Sequence, residues 1–101
     1  MIRVSVLYPN SEGSTFDMEY YLDSHMPMVR EALGTALLKD EIWKGLGAPG
    51  DQPATYQVLL HMYFESPESF GAAFDAHAER IMADIPKYTN VQPVIELEAG
   101  V

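Results

Sequence analysis

The sequence predicts an α+β domain whose elements run βαββαβ. Three observations carry this reading. Period-2 apolar alternation occurs near both ends and in the middle of the chain. Two amphipathic stretches of helical period are each opened by a capping residue. Joints rich in glycine and proline separate the segments. At 101 residues the chain is read as one domain, 1–101, without linker, repeat or low-complexity stretch.

Ile2 to Tyr8 alternates and is rich in β-branched residues, a strand ended by Pro9-Asn10. Ser14, with Asp17 three positions on, marks a helix start: the hydroxyl caps a free N–H and the carboxylate suits the helix dipole. This helix runs to Leu33, with Gly34 as its stop. Pro27 lies inside it and predicts a kink or break near Ser24 to Met26. A weaker strand is expected within Leu37 to Leu46, read from Ile42-Trp43, with Gly45 and Gly47 at its end. Gly47 to Pro53 is a loop by composition.

Tyr56 to Phe64 is the strongest strand. Its even positions Tyr56, Val58, Leu60, Met62 and Phe64 are all apolar, whereas Gln57, Leu59, His61 and Tyr63 are mixed. Ser66-Pro67 is an N-cap followed by proline at the first helical position, and the helix runs to about Asp84 before Pro86. Val91 to Leu97 alternates as a last strand, its Pro93 confined to a strand start or an edge.

This order is that of the ferredoxin-like fold, an antiparallel four-stranded sheet with two helices on one face. The other face would carry Leu7, Leu59, His61, Tyr63 and Trp43 over roughly 19 by 20 Å. An apolar patch of that size is seldom left open on a monomer. A second copy is therefore expected to cover it back to back, as a homodimer.

Composition narrows the partners. Fifteen Asp plus Glu against six Lys plus Arg give a charge of −9, which repels phosphate, so neither nucleic acid nor anionic lipid is an expected partner. There is no cysteine, which excludes a disulfide framework, a thiolate zinc site, a thiol nucleophile and an Fe–S cluster. Charged residues interrupt every apolar run short of membrane-spanning length, and the N-terminal stretch lacks a secretory pattern. A cytoplasmic location is expected.

The three histidines are the most informative residues. On a helical wheel His25 falls in the middle of the apolar side, among Met18, Tyr21, Leu22, Val29 and Leu33. An imidazole aimed into a helix–sheet layer must find a partner there or stay neutral. One reading is a satisfied core histidine bonded to a tyrosine hydroxyl. The other is a functional acid or base, favoured by the adjacent Met26-Pro27, where a helix break opens space for a ligand. Tyr21 lies one turn earlier on the same side, where its hydroxyl could pair with the imidazole. His77 shares a helix face with Phe70, Phe74 and Ile81, and packing beside Phe74 is its plainer role; His61 is read as an interface residue. Tyr8, Trp43, Met62 and His77 are the looser candidates for ligand lining. The histidine spacing contains no local metal-binding motif, and no nucleotide, flavin or Ser-triad motif is present, so no metal or organic cofactor is expected.

The run Phe16-Asp17-Met18-Glu19-Tyr20-Tyr21-Leu22-Asp23-Ser24-His25-Met26-Pro27-Met28-Val29 resembles the "YY…HxPLV" segment of EthD-like proteins. Ala83 to Pro93 is similar to their "DIPNFTN…P" segment. Met28 stands where members often carry Leu, and Lys87-Tyr88 where Asn-Phe is common. The resemblance covers essentially the whole domain. It implies a dimeric α+β barrel, a link to the ethyl tert-butyl ether degradation proteins, and a pocket between sheet and helices. Relatives of that barrel include cofactor-independent monooxygenases acting on polyketide aromatics, and muconolactone isomerases. His25 matches the family's histidine as candidate acid or base.

The expected function is then a pocket for a small apolar or aromatic molecule, in which His25 moves a proton at an activated carbon or phenolic oxygen. Such chemistry would be of cofactor-independent monooxygenase (oxidoreductase) type or of isomerase/lyase type. The alternative is a non-catalytic dimeric carrier for a hydrophobic metabolite. A purely structural role would show a closed core with no pocket.

Overall fold

Alternation along Tyr56–Phe64 places its even residues on one face of a four-stranded antiparallel sheet. The computed structural model describes all 101 residues and orders the strands β2-β3-β1-β4. These are β1 (Ile2–Pro9), β2 (Lys39–Lys44), β3 (Tyr56–Phe64) and β4 (Val94–Ala99). The central strand β1 pairs with β3 on one side and β4 on the other, so Val4 to Tyr8 are buried on both faces. The ferredoxin-like α+β order is the one expected. β2 is shorter than its expected span, and β4 begins only after Pro93, whose missing N–H keeps it out of the ladder.

The first helical segment is continuous but not regular. It comprises α1 (Met18–Tyr20), a π-helical turn (Tyr21–His25) and α2 (Met26–Leu33). Asp17, not Ser14, is the cap: its carboxylate accepts from the Tyr20 N–H at 3.1 Å. Pro27 has no N–H to give and its ring crowds the carbonyl of the preceding turn. The chain accommodates it by widening that turn, with the Met26 N–H reaching back to the Tyr21 carbonyl. The expected break is thus a bulge, and Gly34 ends the helix with a positive φ of 57°.

The second helical stretch departs further. It is two helices, α3 (Pro67–Asp75), capped by Ser66, and α4 (Ala78–Asp84), separated at His77 with φ −130° and ψ 6°. Neither proline nor glycine marks this break, so periodicity alone reads through it. No helix is long and apolar enough to cross a membrane.

The helices cover one face, where Val4, Val6, Leu60, Met62 and Phe64 pack against Met26, Val29, Leu33, Ile81 and Ile85. The opposite face is less apolar than expected. Register places Trp43, Leu59, Leu7 and Val94 in one row across all four strands. The next two rows are Glu41–His61–Ser5–Glu96 and Lys39–Tyr63–Arg3–Glu98. Ser5 donates to Glu98 and meets His61 Nδ1 at 2.8 Å, Arg3 pairs with Glu98 at 2.7 Å, and Tyr63 donates to Glu41 at 3.0 Å. The charges of the edge strands therefore fold over the middle of the face, leaving one apolar band.

Candidate functional site

The site begins where the two ends of the helical layer are sewn together. Phe16 and Thr89 form an isolated antiparallel bridge. The Asp17 N–H donates to the Tyr88 carbonyl at 2.7 Å, Thr89 Oγ1 donates to the Thr15 carbonyl at 2.7 Å, and the Thr15 N–H donates to Asn90 Oδ1 at 2.9 Å. These bonds carry the end of α4 onto the π-turn. They deliver Asp84 and Tyr88, one helical turn apart, to the two sides of one imidazole.

His25 is 3% exposed. Its Nδ1 lies 2.9 Å from Asp84 Oδ2, and its Nε2 lies 3.2 Å from the Tyr88 hydroxyl. A carboxylate only accepts, so Nδ1 carries the hydrogen and Nε2 offers a lone pair to Tyr88. The Tyr88 proton is committed to His25, so Tyr8 must donate in its 2.6 Å contact with Tyr88. The Tyr20 hydroxyl donates to Asp84 Oδ1 at 2.9 Å. One directed chain results, from Tyr8 through Tyr88 and His25 to Asp84, with Tyr20 closing its outer end. Phe16 packs edge-on against Tyr8 and Tyr88, with ring centroids 5.1 and 5.3 Å apart, and Tyr21 packs edge-on against Tyr8 at 5.9 Å.

The electrostatics follow from this burial. Desolvation lowers the His25 pKa below its usual value, opposed by the hydrogen bond to and charge of Asp84. The neutral tautomer described above is therefore the resting form near neutral pH. Burial alone would raise Asp84, but bonds from His25 and Tyr20, with the charge of Lys87, hold it below the usual carboxylate range. Burial pushes Tyr8 up to about 12, and pushes Tyr88 and Tyr21 upward as well. The Tyr20 phenol is raised by its bond to Asp84.

Asp84 is also where the chain meets solvent. A surface groove of about 460 Å³ lies between the π-turn and α4, bordered by Tyr20, Met28, Arg80, Ala83, Asp84 and Lys87. Lys87 Nζ stands 3.6 Å from Asp84 Oδ1. What this arrangement can do chemically is hold a proton on a buried imidazole and exchange protons at a carboxylate and a phenol on the groove wall.

The other candidates fall in different places. Tyr8 is joined to His25 through Tyr88. Tyr21 stacks on the imidazole (centroids 5.7 Å apart, planes at 17°) rather than bonding to it. Its buried hydroxyl has no hydrogen-bond partner, so orientation of His25 by Tyr21 is replaced by orientation through Asp84. Met62 lies in the same core layer but pairs with Val4, four residues along β1 from Tyr8, about 13 Å away. His77 is half-buried at the α3–α4 break and borders a separate surface hollow with Arg80. Trp43 is 58% exposed on the open sheet face, beside Leu59, so the sheet itself stands between it and His25. That position corrects its assignment as pocket lining. His61 is on the open face too, and no three His, Asp or Glu side chains converge as metal ligands.

Asp84, Tyr88 and Tyr20 are the members that sequence reasoning did not single out. The signal was present in the four-residue spacing of Asp84 and Tyr88 within the second family-like segment.

Those two segments, far apart in the chain, form one contact surface here. The model of the EthD domain matches residues 13–92, which include the first segment whole and the second except Pro93. An EthD-like protein from Ralstonia eutropha JMP134 is 38% identical and superposes with a TM-score of 0.90 over 96% of this chain and 88% of that one. An ethyl tert-butyl ether degradation (EthD) family protein from Bacillus halodurans C-125 superposes at 0.79 with 19% identity, covering 100% and 99%. An antibiotic biosynthesis monooxygenase shares the fold at 13% identity, with a TM-score of 0.53 over 100% and 99% of the two chains. No curated protein sequence matches. With matching segments, matching topology and a family model spanning most of the domain, this chain belongs to the EthD family.

Proposed function

We propose that the protein is a proton-transfer enzyme for a small, largely apolar or aromatic molecule, with Asp84 as the base at the groove and His25 buried behind it. The observation that carries this is the directed chain Tyr8–Tyr88–His25–Asp84–Tyr20, which ends on a groove. Asp84, with Tyr20 beside it, would take the proton from the ligand and return it to product or to water in the groove, while His25, holding its own Nδ1 proton against the carboxylate, keeps Asp84 ionised and aimed. Abstraction of a proton from an activated C–H or a phenol opens both cofactor-independent oxygenation and isomerisation or elimination. The test is solvent exchange. Panels of acidic ketones and phenols are incubated with the protein in D₂O and followed by proton NMR. Wild type should accelerate exchange, and His25→Gln and Asp84→Asn should each reduce it by about a hundredfold. Equal rates in all three proteins would refute the proposal.

A specific observation favours the second reading, a non-catalytic binding protein. The groove offers apolar lining from Met28, Ala83 and the ring of Tyr20, which is all that a carrier needs. Saturable ligand binding with no exchange in wild type would select it.

We also propose that two copies pair through the row Trp43–Leu59–Leu7–Val94. The isolated chain exposes 6214 Å², above the roughly 5,700 Å² typical of a monomer of this mass. Sedimentation should give a dimer for wild type and a monomer for Leu59→Arg. A monomeric wild type at micromolar concentration would contradict the pairing.

A further inference from the structure

The helix α4 presents Arg80, Ala83 and Asp84 to the groove, and the 3-10 turn that follows it (Ile85–Lys87) adds Lys87. Arg80 stands four residues before Asp84, a spacing at which opposite charges commonly pair. Here they do not. Asp84 is already occupied by His25 at 2.9 Å, Tyr20 at 2.9 Å and Lys87 at 3.6 Å, and Arg80 makes no ion pair with any residue. Of the three arginines, Arg3 pairs with Glu98 and Arg30 with Asp40, and Arg80 alone is left without a counter-ion. It borders both this groove and the adjoining hollow, whose acids are Asp75 and Glu79. The groove floor beside it is apolar, made by Met28, Ala83 and the ring of Tyr20.

From this placement we infer that the groove binds a small organic carboxylate, its anionic group on Arg80 with Lys87 beside it and its apolar body on Met28 and Ala83. A carboxylate accepts two parallel N–H bonds from a guanidinium, a geometry that a neutral oxygen cannot match in strength. Arg80 is then a specificity-determining residue: it sets the reacting end of the ligand one helical turn away, at Asp84 and Tyr20. The inference rests on the proton-transfer reading of the same groove, and names the class of molecule brought to it.

The probe is benzoate, with benzamide as its neutral counterpart of equal shape. Each is titrated into the full-length protein and followed by amide and imidazole NMR shifts. Benzoate should bind in the millimolar range, move the signals of Tyr20 and His25, and weaken with added salt. Benzamide, and benzoate on Arg80→Gln, should bind about tenfold more weakly, and Arg80→Lys should recover part of the loss. The inference is overturned if benzoate does not bind, if benzamide binds as well, or if Arg80→Gln binds benzoate as wild type does. Its failure is separable from that of the proton relay. Exchange that depends on His25 with binding indifferent to Arg80 removes the anion site alone. Binding that depends on Arg80 with exchange indifferent to His25 and Asp84 removes the relay alone.

Discussion

His25 and Asp84, 59 residues apart in sequence, meet at 2.9 Å across the seam between the π-turn and α4. The contact decides which imidazole nitrogen carries the hydrogen, and it opposes the effect of burial on the ring. Burial makes the protonated imidazole unfavourable, while the carboxylate partly restores it.

The first prediction concerns that balance. In wild type the His25 pKa, read from its ring signals in an NMR titration, should fall below the usual 6.5. Asp84→Asn keeps an oxygen to accept from Nδ1 but removes the charge, so the His25 pKa should fall further. A value equal to or above that of wild type would show that the carboxylate does not act on the ring.

Two tyrosine substitutions should have opposite effects. Tyr88→Phe deletes the hydroxyl that both Tyr8 and His25 Nε2 use, leaving buried polar atoms unpaired. A loss of about 1–3 kcal/mol is expected. Tyr21→Phe instead removes a hydroxyl that is already unpaired and keeps the ring stacked on His25. It should be neutral or raise stability by up to about 1 kcal/mol. Thermal melts of the two variants beside wild type check both, and a Tyr21→Phe protein that melts well below wild type would contradict the orphaned hydroxyl.

Stability should decline in mild acid. Because the folded His25 pKa lies below its unfolded value of 6.5, the unfolded chain binds more protons as pH falls through 6.5, and folding loses free energy. One proton cannot give a slope steeper than about 1.4 kcal/mol per pH unit. Asp84, also lowered, contributes stability above its ordinary 3.8 that is lost as pH falls further. Urea unfolding at a series of pH values should show the first decline in wild type. His25→Gln should flatten it between pH 7.5 and 5.5, a window of about one unit either side of 6.5.

Gly45→Ala should destabilise without touching the site. A Cβ at position 45 would stand 1.9 Å from the Tyr56 carbonyl oxygen, a backbone atom held by the sheet. The close approach serves the bond from the Gly45 N–H to the Gln57 carbonyl at 3.0 Å. A loss of about 1–3 kcal/mol would lower Tm by roughly 4–8 °C per kcal/mol in a domain of this size. An unchanged melting curve would mean that the strand end yields to admit the added Cβ.

Much of the architecture is legible in the residues themselves. The bounds of Tyr56–Phe64 are legible because its apolar residues alternate without interruption and turn residues flank it. The inward aim of His25 was legible on a helical wheel, and the disturbance at Pro27 from its missing N–H. Asp84 and Tyr88 were not legible in the same way. Taken locally, one reads as a surface acid at a helix end and the other as an amphipathic boundary residue. Their role depends on the Phe16–Thr89 bridge, which no local pattern encodes.

The open sheet face teaches the same distinction. Alternation placed Leu7, Leu59, His61, Tyr63 and Trp43 on it together, but cross-strand register supplied Arg3, Glu41, Glu96 and Glu98 as their neighbours. Sequence by itself determined the kind and order of elements, because helix and strand periods are set by near neighbours along the chain. Tertiary structure decided which side chains meet. A partner 59 residues away is chosen by how whole faces dock and in what register, and free energy is lowered there by pairing polar groups that burial would otherwise leave unmatched.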